Sequence, residues 1–169
     1  MDSGSEEVKI ISPNYSASDV VSGKTSYSNS DLTLEDIHIT GYPKLLVDFD
    51  VELERLFFSN EIRQFSITID TQSGSRSRND VRPNLETYIL PKSALISPRL
   101  DDDTATERGR KLVRRQIYLW YASSVLVNGI PEIEAQQIDK VFKLFWVIPT
   151  PSEKKPTLID SISGEVKSG

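Results

Sequence analysis

The stretch LLVDFDVELERL, Leu45–Leu56, alternates apolar and acidic side chains through its middle. Val47, Phe49, Val51 and Leu53 have one parity; Asp48, Asp50, Glu52 and Glu54 have the other. Successive strand side chains point to opposite faces, so this spacing predicts a strand with an apolar inner face and an acidic outer one. Alternate carboxylates on that face stand about 6.7 Å apart, within the separation of an inverting glycosidase pair. Distance alone therefore permits catalysis, but general-acid work needs one carboxyl lifted by an apolar pocket. An open sheet face supplies none. A divalent cation needs oxygens converging on one point, and a straight strand spreads them. The plain reading is a solvated sheet face; the functional one is a docking strip for a basic partner.

The neighbouring sequence extends the sheet. RQFSITIDT, residues 63–71, repeats the period of two, and FFSNEI is short enough to join an antiparallel pair. LTLEDIHIT reads as an earlier strand ended by a turn at Gly41–Pro43, and LETYIL as a later one. QSGSRSRNDVRPN between them reads as a polar, basic loop. From Thr104 to Val127 the period becomes helical, with Val113, Ile117, Trp120 and Ser124 on one face and Leu112, Leu119 and Leu126 beside it. DDDT supplies caps and Asn128–Gly129 a stop. Pro131 suits the first turn of a second helix, with Ile138, Val141, Phe142 and Phe145 at helical spacing. WVIP can leave that helix as a strand.

Strands first and helices second predict an α+β fold: an antiparallel β-sheet with two helices packed on one face. Residues 1–30 hold nine serines and few apolar residues, and are expected to form a disordered, flexible arm. Residues 31–150 make a single α+β domain, and 151–169 a loose segment in which TLIDSI offers an edge strand. No internal repeat stands out.

Composition narrows the chemistry. The 169 residues contain no cysteine and a single histidine, His38, which excludes disulfides, thiolate or multi-histidine metal sites and a cysteine nucleophile. No cofactor is expected. SGKTS, Ser22–Ser26, mimics the end of a phosphate-binding loop, but Ser18 stands where its first glycine belongs. No G-x-S-x-G elbow is present. No apolar run approaches the roughly 18 residues of a membrane span. The N-terminus is acidic where a secretion signal would be basic, so the expected location is intracellular. The sequon Asn14–Ser16 is then without consequence.

The net charge of −5 argues against blanket nucleic-acid or anionic-membrane binding, yet the cations are clustered. Arg108, Arg110, Lys111, Arg114 and Arg115 place five positive charges within eight residues of the predicted helix. They lie near its N-terminus, where the macrodipole disfavours cations, so helix stability alone does not account for them. Such a face suits nucleic-acid backbone, anionic lipid or an acidic strip on a neighbouring subunit. Alternatively, it solvates the helix and neutralises Asp101–Asp103 and Glu107. Arg76 and Arg78 in SGSRSR, with Arg82, form a second patch suited to phosphate or to a plain hairpin loop. YPKL, Tyr42–Leu45, has the Y-P-x-L form by which viral structural proteins recruit budding machinery, and also suits a simple turn.

The polar arm, the entry strand KLLVDFDVELERLFFS and the C-terminal PTLIDSISGEVK together resemble the rhabdovirus matrix proteins in layout. That resemblance implies a non-enzymatic viral protein that self-associates and links nucleocapsid to membrane. The acidic arm and the missing P-P-x-Y depart from the pattern and leave membrane contact in doubt. The leading expectation is a self-associating structural protein, its acidic strand meeting the basic helix face of a neighbour. The alternative is an accessory nucleic-acid-binding module using Arg76, Arg78 and the helix cluster, with RNA or a nucleoprotein as partner. A carboxylate enzyme would require the acidic side chains to line a concave pocket.

Overall fold

The computed structural model describes residues 4–121, 131–151 and 155–168. The fold is α+β, an eight-stranded, mostly antiparallel sheet with two helices. Its elements are β1 (Ser5–Ile11), α1 (Ala17–Val21), β2 (His38–Leu53), β3 (Glu61–Asp70), β4 (Arg76–Asn79), β5 (Leu85–Pro91), α2 (Asp102–Tyr121), β6 (Glu132–Ile148), β7 (Thr157–Asp160) and β8 (Val166–Ser168). The strands follow the order β4-β3-β2-β6-β1-β5, with β7 on β6 and β8 on β7.

The chain divides into two compact units, and β2 and β6 each run through both. One unit comprises Lys44–Arg82 and Pro98–Lys140. In it β2 and β3 pair antiparallel from Lys44↔Asp70 to Leu53↔Glu61, as their common period requires. Leu45, Val47, Phe49, Val51 and Leu53 are buried with Phe65, Ile67 and Ile69 beneath Ala105, Val113 and Ile117 of α2. Gly109 allows this close packing, because a Cβ there would stand 3.1 Å from the Phe49 ring. The other unit comprises Met1–Pro43, Pro83–Ser97 and Val141–Gly169. Its β1 pairs antiparallel with β5 and meets β6 in parallel at Ile10↔Phe142. One cluster there holds Val8, Ile10, Leu90 and Leu144; a second holds Val20, Leu32, Ile148 and Ile159.

Four expectations are corrected. Residues 132–148 form strand β6 rather than a second long helix. Val141, Leu144 and Ile148 are buried and Phe142 and Phe145 half-buried, so apolar residues occupy both parities, and such a strand loses its alternation. The second helix is instead the five-residue α1, inside the supposed arm, where β1 and a Ser16–Asp19 capping box also form. Gly41–Pro43 does not turn the chain: β2 continues through it, and the β3 ladder begins one residue later, where proline's missing N–H no longer matters. Its predecessor LTLEDIHIT is a 3-10 turn at Leu34–Asp36 followed by the start of β2. The C-terminal segment supplies β7, paired on both sides, rather than an edge. Ser124, Leu126, Val127 and the Asn128–Gly129 stop lie outside the described residues.

The two units also share a local architecture that amounts to an internal repeat. ISPRLDDDT, residues 96–104, matches ISPNYSASD, residues 11–19; IDTQSG, residues 69–74, matches IDSISG, residues 159–164. In each turn the aspartate Oδ1 accepts N–H bonds from the second and third residues on, Gln72 and Ser73 to Asp70, Ile162 and Ser163 to Asp160. Its Oδ2 accepts from a lysine at 2.6 Å, Lys44 or Lys143. The turns close through Gly74 at φ 76° and Gly164 at φ 71°, a region that favours glycine. The carbonyl after the aspartate then receives two N–H groups from an ISP segment. Thr71 O accepts from Arg99 and Leu100, and Ser161 O from Asn14 and Tyr15, at 2.9–3.0 Å. Four residues after the serine of each ISP comes a helix cap: Ser16 accepts from Asp19 N, and Asp101 from Thr104 N at 2.7 Å.

Burial alone would raise the pKa of Asp70 and Asp160, but the lysine and backbone N–H bonds prevail and hold both below the usual carboxylate range. The unfolded chain titrates near 4. Each carboxylate therefore contributes stability that is complete above that pH and is lost as pH falls through the lower folded value. Urea midpoints measured across acid pH should drop below about pH 4, and this limb should flatten in Asp70→Asn and Asp160→Asn.

Candidate interaction site

β2 and β3 present two faces in the unit that contains α2. The helix covers the apolar face; the other carries Asp48, Asp50 and Glu52 of β2 opposite Ser66, Gln64 and Ile62 of β3. The four predicted carboxylates do not share one environment. Asp48 is half-buried and ion-paired with Arg82, whose second guanidinium nitrogen binds Asp139 of β6. Gln137 donates to the same Asp139 oxygen at 2.8 Å. Asp48 Oδ1 is buried without a hydrogen-bond partner. Asp48 and Asp50 line a groove of about 350 Å³ together with Gln64, Asn79, Arg82 and Gln136. Glu52 and Glu54 are exposed, Glu52 accepting from Asn60 at 3.1 Å.

A uniformly solvated acidic face is thus replaced by an inner pair in a polar groove and an outer pair in water. The groove supplies the concavity that an enzyme would need. Its lining of carboxylates, amides and a guanidinium differs from the apolar pocket that lifts a general acid. Among the described residues no group of three or more His, Asp or Glu side chains is arranged to hold a metal ion.

The basic helix face also divides. Arg110 pairs with Glu107 and donates to Ile133 O at 3.3 Å, beside the Phe49 ring. Arg108 reaches Gly74 O at 3.4 Å. Both are half-buried and belong to the packing. Lys111, Arg114 and Arg115 are exposed and form no ion pair among the described residues. Asp101 caps α2 and Asp102 pairs with Lys140, so these aspartates do not neutralise the helix cations.

The supposed basic loop is partly strand β4. Arg76 is exposed, while Arg78 lies 4.7 Å from the Trp120 ring centroid and 5.1 Å from that of Phe65. Arg82 is no free cation, being held between Asp48 and Asp139. The YPKL residues lie within β2 with Pro43 and Leu45 buried, which withholds them as an extended peptide. His38 is exposed at the start of β2.

Two elements escaped the sequence reading. Asp139 was hidden by the assignment of its segment to a helix. The connection between β2 and β3 exposes Leu56, Phe57 and Phe58, the second at 80% of its surface, and Ile62 follows on β3 at 66%. Three large apolar residues in a row inside a connection were the available signal.

No membrane-length apolar helix occurs among the described residues. The chain matches no protein-family model, no curated protein and no solved structure.

Removing Arg82 would take away the cation that stands between Asp48 and Asp139. Arg82→Met should therefore cost about 3 kcal/mol in urea unfolding, and adding Asp139→Leu should restore most of it.

Proposed function

We propose that the protein is a non-enzymatic structural protein that self-associates, joining Glu52 and Glu54 of one copy to Lys111, Arg114 and Arg115 of the next. The observation that carries this reading is the exposed apolar surface adjoining each charge set. Leu56, Phe57, Phe58 and Ile62 follow the glutamates along the chain, and Tyr118 and Leu119 follow the cations one to two turns along α2. Contiguous exposed apolar side chains rimmed by charge mark protein contact surfaces. Apolar burial supplies affinity here, and charge sets orientation and association rate. The two surfaces differ, so the contact is head-to-tail and yields open polymers unless the rotation closes.

The resemblance to viral matrix proteins extends the proposal to a lattice that engages a nucleocapsid. The self-contact surface supports its first part; the arm and C-terminus that carried the resemblance are folded into β1, α1, β7 and β8.

Exposed charges are screened over about 8 Å at physiological ionic strength, so the association should weaken with salt. Sedimentation at low salt should give a mass that grows with concentration for wild type and a monomer for Arg114→Glu/Arg115→Glu. Adding Glu52→Lys/Glu54→Lys should restore growth. Monomers for wild type at low salt would refute the contact.

Arg78 stacked on the half-exposed Trp120, beside exposed Arg76, favours a second reading as a module for single-stranded nucleic acid. Affinity for a fluorescent RNA should then fall linearly with salt on logarithmic axes, and Trp120→Ala should weaken binding by about 1–3 kcal/mol. Absence of binding at low salt excludes it.

A further inference from the structure

The repeat divides the chain into halves, 1–82 and 83–169, each with an ISP segment, a helix, a long strand and an IDxxSG turn. Each compact unit takes its helix, with the residues that follow the ISP proline, from one half and its turn from the other. Thr71, in the first half, receives the N–H groups of Arg99 and Leu100 in the second; Ser161, in the second, receives those of Asn14 and Tyr15 in the first. Burial follows the same rule. Val20 of α1 packs with Ile148 and Ile159 of the opposite half, and Val113 and Ile117 of α2 pack in the cluster of Phe49 and Ile67. Trp146 Nε1 donates to Tyr15 O at 2.9 Å, again between halves. Within a half, by contrast, the ladders run β2-β3-β4 or β6-β7-β8, which leaves the ISP segment and the helix to the other half.

Neither half closes a core alone, and the complement it needs is chemically the same whether it comes from its own chain or from another. Only the connection between halves decides. That connection, residues 80–84, is five residues long between β4 and β5 and contains Pro83. Short connections between exchangeable elements are the hinges at which domain swapping occurs. We propose that two copies of this chain exchange halves, the first half of one completing both compact units with the second half of the other. The exchanged dimer rebuilds every contact named above. It forms when chains fold at high concentration, where a second copy competes with the tethered half. It is independent of the charge contact proposed above, because it uses neither Arg114 nor Arg115.

The chain has no cysteine, which makes the test direct. Asn14 Nδ2 donates to Ile162 O at 3.0 Å across the half boundary within one unit. Asn14→Cys and Ile162→Cys chains, mixed in denaturant and refolded together when concentrated, are treated with a short bis-maleimide in about 1 M salt, where screening shortens to about 3 Å. The expected result is a covalent dimer of one chain of each kind. A doubled mass in light scattering should persist on dilution, because reversal requires unfolding, and should be unchanged by Arg114→Glu/Arg115→Glu. The double variant Asn14→Cys/Ile162→Cys, refolded when dilute, should crosslink only within itself. Monomer mass after refolding at every concentration, or crosslinking confined to the double variant, would overturn the exchange while leaving the charge contact untouched.

Discussion

An aspartate that holds a tight turn with one oxygen and a lysine with the other, half-buried as Asp70 and buried as Asp160, is the interaction on which both compact units are built. Asp70 and Asp160 each fix the backbone so that the next carbonyl points at an ISP segment and satisfies two consecutive N–H groups. Those groups begin the approach to a helix, so turn, helix entry and core position are set together. A partly buried carboxylate without its lysine and N–H donors would be costly, and the donors have few alternatives once the strands pair. The same bonds recur in both turns although the surrounding residues differ. What the repeat conserves is hydrogen-bonding chemistry rather than letters.

Arg82 plays a comparable part for the acidic strand. Four carboxylates at every second position look equivalent on paper, but Arg82 claims Asp48 and brings Asp139 to the same point. The strip consequently separates into an inner polar groove and an outer exposed pair. The arginines of α2 sort in a similar way: Arg108 and Arg110 lie over the turn and the core, while Lys111, Arg114 and Arg115 face outward.

These distinctions mark where sequence reading succeeds. β2, β3, β5 and α2 were legible because each has one wet face, and period then reports structure. β6 was not, since Val141–Ile148 carries apolar residues on both parities and borrows a helical spacing by accident. β1 and α1 were not, because their stability comes from β5, Phe142, Ser161 and Ile159, all far along the chain, and serine-rich composition says nothing of such partners. The candidate site was half legible. Residue types and spacing located the charges, but which of them were already paired depended on Asp139 and Gly74, distant in sequence from the cations they hold.

The two helices that follow the ISP segments differ fourfold in length, five residues in α1 against twenty in α2. Their shared entry is secured by the cap and by the turn carbonyl, upstream of anything that the length can disturb. A helix grown from this position adds surface outward without renegotiating the anchor. The exposed cations and aromatic residues of α2 occupy that added length, so the face available to partners can change its chemistry while the scaffold beneath stays as it is.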